Sequence, residues 1–251
     1  MGTIWDRAPP VNRRDRYPDR VQLFGQVGMK SSRQTTLRSH VTVTGIGVHS
    51  GSQVNLTIGP ADINSGFTFV RTGLDREVQA VASSVVATEL ATVLGDAQGP
   101  LVSTAEHVLA ALRGMGVDNA TIEVDGAEVP IMDGSAAPFV AAIDQAGIVQ
   151  QNAARRFIEV LKPVQVVQGE SFGELRPYAG GFRAELEIEF ANSPIGRQAY
   201  AFDLTPDSFR RDICRARTFG RMGDVAKLWS AGYALGAPLE NSVVYDEARL
   251  L

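Results

Sequence analysis

The chain has 251 residues, 44% of them hydrophobic and 21% charged, with a single cysteine and a formal net charge of −4. That length holds one large domain or two small ones. No apolar run approaches the ~18–20 residues of a membrane span, so no integral membrane segment is expected. A lone Cys214 excludes a disulfide framework or a cysteine-rich zinc module. The negative net charge argues against a general nucleic-acid binder, so no nucleic acid is expected as a partner.

Charge is unevenly placed. Residues 1–40 hold eight Lys and Arg against three Asp, and the remaining 211 hold 16 against 25. Residues 1–30 are rich in Pro, Arg and Asp without apolar periodicity, and read as a disordered basic head. They lack the apolar core of about 7–15 residues that marks a secretory signal, so a cytoplasmic location is expected.

Residues 36–43 alternate as one strand toward a Gly-rich corner, GIGVHSG at 45–51. Val54, Leu56 and Ile58 then alternate as a half-buried strand should. Phe67 and Phe69 mark a short strand, and 78–86 a longer extended stretch. Ser103, Thr104, Ala105 and Glu106 fit a capping box that opens a helix, with Val108, Leu109, Leu112 and Met115 as its apolar stripe. Ala120, Ile122 and Val124 read as a strand. After a turn at PIMDGS (130–135), with Ser135 as N-cap, Phe139, Val140, Ile143 and Ala146 give a second helix closed by Gly147.

The polar stretch 150–155 reads as a linker. Strands follow at 157–160, 164–167 and 182–190. The last alternates over nine residues, which predicts one buried and one wet face. Tyr200, Phe202 and Leu204 suggest its partner, and 208–217 and 223–229 look helical. Strands and helices segregated in this way argue α+β rather than a doubly wound parallel sheet.

Glu106 and His107 are neighbours at a helix start, pointing roughly 100° apart at ~3.6 residues per turn. A carboxylate that moves a proton beside an imidazole that binds a metal is one reading. A helix-capping Glu beside an ordinary helical His is the other. The GIGVHSG corner reads as a tight turn, since its spacing is not GxGxxG and no helix follows. The arginines between 210 and 221 form a solvated face, or a site for an anion such as a nucleotide diphosphate.

Four ordered motifs go further: TGIGVHSG (44–51), STAEHVLAAL (103–112), VPIMDGSAAPF (129–139) and ARTFG (216–220). Together, over residues 33–251, they resemble the UDP-3-O-acyl-N-acetylglucosamine deacetylase family, the zinc amidases of lipid A synthesis. The resemblance implies two β-α-α-β sandwich domains, here 31–150 and 155–251, with the site between them. It implies Zn2+ as cofactor, held by two His and one Asp, with His107 as one ligand. It implies Glu106 as the general base and Thr218 as the hydroxyl that stabilises the oxyanion. Phe219 falls at the sugar site, Phe190 where uracil stacks, and Leu90 along the acyl region. Residues 221–242 match the insert that forms the acyl passage, with Arg221 where an apolar residue is expected. UDP-3-O-acyl-N-acetylglucosamine is the implied partner and substrate.

By the same resemblance the second zinc half-site, a His-Lys-x-x-Asp helix, and a general-acid His fall after Leu251. The second domain is then expected to be incomplete. Phe182, Leu186, Ile188 and Phe190 should be left uncovered, and residues 155–251 loosely ordered. An inactive truncated remnant, at most a UDP-sugar-binding module, is the alternative expectation for this chain.

Overall fold

A computed structural model describes residues 33–190, 193–237, 241–246 and 249–250. The basic head expected over residues 1–30 lies outside the described residues. The chain runs through β1 (Arg33–Leu37), β2 (Val41–Ile46), β3 (Gln53–Gly59), β4 (Phe67–Arg71), β5 (Arg76–Gln79), β6 (Val85–Ala87), β7 (Val93–Asp96) and β8 (Gly99–Val102) before its first helix, α1 (Glu106–Gly114). Then come β9 (Ala120–Val124), α2 (Ala137–Ala146) and β10 (Ile148–Ala154). The second half has β11 (Val164–Gln168), β12 (Ser171–Leu175), β13 (Arg183–Phe190), β14 (Gly196–Asp203), a one-turn α3 (Pro206–Ser208), β15 (Phe219–Arg221), α4 (Met222–Ser230) and β16 (Val243–Tyr245). This is an α+β chain. Among the described residues no helix is long and apolar enough to cross a membrane.

The centre is a five-stranded sheet ordered β2-β3-β9-β4-β5. Only β4 and β9 run parallel within it. A parallel pair needs a crossover, and the segment from β5 through α1 supplies it. The period-2 pattern of Val54, Leu56 and Ile58 on β3, and of Ala120, Ile122 and Val124 on β9, puts all six side chains on one face, and all are buried. That face is covered by Val108, Ala111 and Leu112 of α1 and by Phe139 and Ile143 of α2, also buried. Each large side chain removed from water in this way contributes about 1.5–3 kcal/mol.

Several expectations need correction. The stretch 36–43 is two strands in two sheets. Arg38 leaves the first by donating its backbone N–H to Gly147 at 2.8 Å, and β2 begins at Val41. The stretch 78–86 is broken by a single helical turn, Ala82–Ser84. The polar linker at 150–155 is instead β10, antiparallel to β1. A ladder of backbone hydrogen bonds needs no apolar pattern. Gln151 is held from the side by Asn119, whose Nδ2 also reaches Gln34. Residues 157–160 form no strand, and Ile158 is exposed. At 208–217 the helical part is short: α3 passes into a π-type turn, Phe209–Ile213. The strand at 182–190 exists, but not its buried face. Among the described residues β13 pairs only with β14, and Phe182, Leu186, Ile188 and Phe190 are 58%, 56%, 40% and 36% exposed, the uncovered face that the resemblance implies.

The second half is nonetheless keyed into the first. Phe209 and Cys214 are buried in the same core as α1 and α2. The Phe209 ring lies where a Cβ on Gly114 would sit, 2.4 Å away, so only glycine fits at the end of α1. Arg210 grips Asp144 of α2 with both terminal nitrogens. That hydrogen bonding holds the Asp144 carboxyl below its ordinary value. A depressed folded value stabilises at neutral pH, and the contribution is lost as pH falls through it. Both partners are nearly half exposed, so solvent holds its worth below about 1 kcal/mol.

A two-stranded ribbon with exposed side chains opens at low cost, whereas central strands open only with the whole core. In hydrogen exchange on the purified chain, amides of β11 and β12 should exchange at least about 10³-fold faster than those of β3 and β9. Equal protection in both pairs would show that the ribbon buries its apolar side chains in some other way.

Candidate active site

The site is built around the start of α1. The capping box expected from Ser103 to Glu106 does not form: the residue before the helix is Ala105, and it makes no side-chain cap. Thr104 has φ +58°, and its hydroxyl donates to Glu128 at 3.0 Å instead. The Ser103 hydroxyl reaches the Ala127 carbonyl. Glu106 is not a cap either. Its Oε2 accepts the Thr92 backbone N–H at 2.9 Å, and its Oε1 has no protein partner among the described residues.

His107 follows, half-buried. Burial pushes its imidazole below the ordinary value, against the negative charges of Glu106 and Asp133. The shift favours the uncharged ring, which keeps a lone pair on one nitrogen.

Asp133 belongs to the turn before α2. Its Oδ1 accepts the Ser135 N–H at 3.0 Å and the Ser135 hydroxyl at 2.7 Å. The expected N-cap, Ser135, lies one position too early: Ala136 occupies the cap of α2, and the Ser135 hydroxyl accepts the Ala137 N–H. This turn receives the second half of the chain. Arg217 Nε donates to the Asp133 carbonyl at 2.7 Å, and Thr218 N–H donates to the Gly134 carbonyl at 2.8 Å. The Thr218 carbonyl then accepts Val243 N–H at 2.9 Å. Thr218 is thus fixed between β16 and the turn whose carboxylate faces His107.

Beyond Thr218 stands an aromatic cluster. The Phe219 ring meets Phe190 edge-on, centroids 5.5 Å apart, and Tyr245 at 6.3 Å. Leu90 is 52% exposed with φ +63°. Its carbonyl is 3.4 Å from His49 Nε2. The GIGVHSG corner is a hairpin turn, as its spacing suggests, closed by Gly51 N–H on the Gly47 carbonyl. The end of the 221–242 segment docks on it. Leu235 and Gly236 donate to the carbonyls of His49 and Val48, each at 3.1 Å, and the Tyr233 ring packs edge-on against His49.

Among the described residues, six non-glycine positions have positive φ: Asn64, Asp75, Leu90, Thr104, Met132 and Ala234. The last four flank this site. Such backbone costs on the order of 1–3 kcal/mol per residue and persists only where its surroundings over-determine it. Sequence reasoning reached Glu106, His107, Leu90, Thr218, Phe190 and Phe219. It did not single out Glu128, Asp133, Tyr233 or Tyr245. Asp133 carried a signal as the Asp of an Asp-Gly-Ser turn, while the others look like ordinary core or surface residues.

A catalytic zinc site needs three protein ligands and an open position. Among the described residues no three His, Cys, Asp or Glu come together to hold a metal ion. His107 is a fitting single ligand, but these residues alone do not make a zinc site.

A carboxylate with one oxygen unpartnered among the described residues, followed by an imidazole shifted toward its uncharged form, has the makings of a hydrolase site. The comparisons say which hydrolase. Residues 34–251 match the family model LpxC, UDP-3-O-acyl N-acetylglycosamine deacetylase. A UDP-3-O-acyl-N-acetylglucosamine deacetylase of Shewanella halifaxensis is 46% identical over 222 residues, 87% of this chain and 72% of that protein. One from Brucella ovis is 46% identical over 216 residues, 85% of this chain and 75% of that protein. The chain belongs to the UDP-3-O-acyl-N-acetylglucosamine deacetylase family.

The join between the halves at Thr218 depends on one glycine. Gly134 has φ +84°, and a Cβ there would lie 2.1 Å from the Asn241 carbonyl oxygen. Gly134→Ala should therefore lower stability by about 1–3 kcal/mol. It should also speed exchange of the Thr218 amide. Wild-type urea unfolding and an unchanged Thr218 amide would show that this turn does not hold the halves together.

Proposed function

We propose that the chain hydrolyses the N-acetyl amide of UDP-3-O-acyl-N-acetylglucosamine, releasing acetate, as a cytoplasmic step of lipid A biosynthesis. The observation that carries the reading is the family match over residues 34–251, which takes in every residue of the site.

An amide is resonance-stabilised and resists neutral water. Glu106 takes a proton from the attacking water through the oxygen that has no partner among the described residues. Its other oxygen stays on Thr92 N–H, which fixes its direction. Water oxygen bonds to the acetyl carbon, and negative charge develops on the former carbonyl oxygen. The Thr218 hydroxyl donates to that oxygen, a type of contact worth several kcal/mol in a dry site. The C–N bond then breaks, and the amine nitrogen takes up a proton as acetate leaves. His107 is the zinc ligand of this reading, and the ligand set is incomplete within the described residues. Phe190 stacks on uracil, Phe219 borders the sugar, and Leu90 with residues 221–242 lines the acyl chain. The docking of Tyr233, Leu235 and Gly236 beside Leu90 supports that last assignment. The proposed layout is two β-α-α-β sandwich domains, 31–150 and 155–251.

Acetate release and UDP-sugar binding, measured separately on the zinc-supplied chain, test this. Glu106→Gln should lower turnover by about 10²–10⁴-fold with binding unchanged. A near-wild-type rate would remove Glu106 from the role of base. Binding without any acetate release by the unmutated chain would instead make residues 1–251 a UDP-sugar-binding module.

A second variant tests the nucleotide end. Stacking of a base on an aromatic ring is worth about 1–3 kcal/mol. Phe190→Ala should therefore weaken binding of UDP alone by roughly 5–150-fold, read by calorimetry. Unchanged UDP affinity would move uracil away from Phe190.

A further inference from the structure

Glu128 is 2% exposed, and no arginine, lysine or histidine side chain pairs with it among the described residues. Burying a carboxylate without a countercharge is costly unless its oxygens are hydrogen-bonded. Here they are. Oε1 accepts His49 N–H at 2.9 Å and the Thr104 hydroxyl at 3.0 Å, and Oε2 accepts Ser50 N–H at 2.9 Å. An ionised carboxylate is acceptor-only, and all three neighbours donate. Space is also reserved for it. A Cβ on Gly47 would lie 2.2 Å from Oε2.

The backbone around Glu128 bridges the same two places. Ser103 N–H donates to the Ala127 carbonyl, Val129 N–H to the Ser103 carbonyl, and Ile131 N–H to the Ile46 carbonyl. Glu128 thus ties the hairpin corner to the entry of α1. The residue it holds there is the strained one. Thr104 is a β-branched residue in left-handed backbone, a conformation costing roughly 1–2 kcal/mol. Two residues later stands Glu106. Ala105 N–H donates to the Thr92 carbonyl at 3.3 Å, and Thr92 N–H donates to Glu106 Oε2 at 2.9 Å. An unbroken series of contacts runs from Glu128 through Thr104 to the carboxylate of the base.

We propose that Glu128 is a positioning residue for the hydrolysis, holding Thr104 left-handed so that Glu106 stays on Thr92 with its second oxygen turned to the attacking water. This rests on the reading of Glu106 as the base. It also joins the corner that carries Leu235 and Gly236 to the base, so both walls of the site share one anchor.

The Thr92 amide reports the position of Glu106 without turnover. In hydrogen exchange on the full chain, Thr104→Val keeps the branched shape and loses the hydroxyl. It should speed Thr92 exchange about tenfold or more, the scale of a lost hydrogen bond to a charged group. Amides of β9 should be unchanged. Thr104→Ser should restore the wild-type rate. Glu128→Gln, which turns one acceptor oxygen into a donor, should repeat the Thr104→Val pattern. If Thr104→Val does not fold, Glu128→Gln is read by the same criteria. An unchanged Thr92 rate, or an equal acceleration of Thr92 and β9, overturns the proposal. The second result would make Glu128 a contributor to global stability only. A near-wild-type acetate rate for Glu106→Gln would count against Glu106 as the base and leave this exchange result standing.

Discussion

Burial of one face of the five-stranded sheet under two helices is the constraint on which the rest depends. Val108, Ala111 and Leu112 are fully buried, so α1 cannot roll about its axis without pulling large side chains into water. Fixing the roll fixes the directions of Glu106 and His107, which leave the helix about 100° apart. The chemistry of the site is therefore set by apolar packing on the far side of the same helix. Hydrogen bonds then trim what packing has placed. Thr92 holds one oxygen of Glu106, and the Asp133 turn sets a second negative charge near enough to act on His107.

The second half joins this frame through backbone groups as well as through the side chains of Phe209, Cys214 and Arg210. Thr218 meets Gly134, Leu235 meets His49 and Gly236 meets Val48. Main-chain contacts at this range leave no room for a Cβ. Glycine at 134 and at 236, where a Cβ would lie 2.2 Å from the Gly47 carbonyl oxygen, is the consequence. The neighbouring left-handed residues follow the same logic. A chain that must approach another chain closely, while presenting a side chain inward, has few permitted backbone angles.

What the sequence makes legible is what one-dimensional pattern encodes. Leu56, Ile58, Ile122 and Val124 lie on a sheet face that is buried along its whole length, so their period survives in the sequence. Both long helices are legible for the same reason. β10 is not, because its pairing with β1 is a matter of backbone groups and its side chains are polar. The misread capping box has a different cause. Ser103, Thr104 and Glu106 have the right types at the right spacing, but each finds a tertiary partner that local spacing cannot reveal. Glu128 is the extreme case, with donors 24, 78 and 79 positions away. The alternation of 182–190 fails in the other direction. It states which side chains share a face, but nothing in the strand itself says that a layer will lie over it. Glu106 and His107 stand out as neighbours at a helix start, whereas Leu90, Phe190 and Phe219 have no pattern of their own and are reached only through the family resemblance.

The seating of Phe209 over Gly114, with Cys214 buried beside it, has a meaning on the timescale of synthesis. The helices of the first half are complete when Ala146 leaves the ribosome, yet one wall of their core is made of residues translated roughly 70 positions later. At about 5–20 residues per second that is an interval of roughly 4–14 s. During it the glycine-lined notch at the end of α1 stands open to whatever apolar segment is nearby. The exposed valines and phenylalanines of β11 to β13 emerge in that same interval. Glycine at position 114 thus leaves a place beside the backbone of α1 that waits for a ring made only later in synthesis.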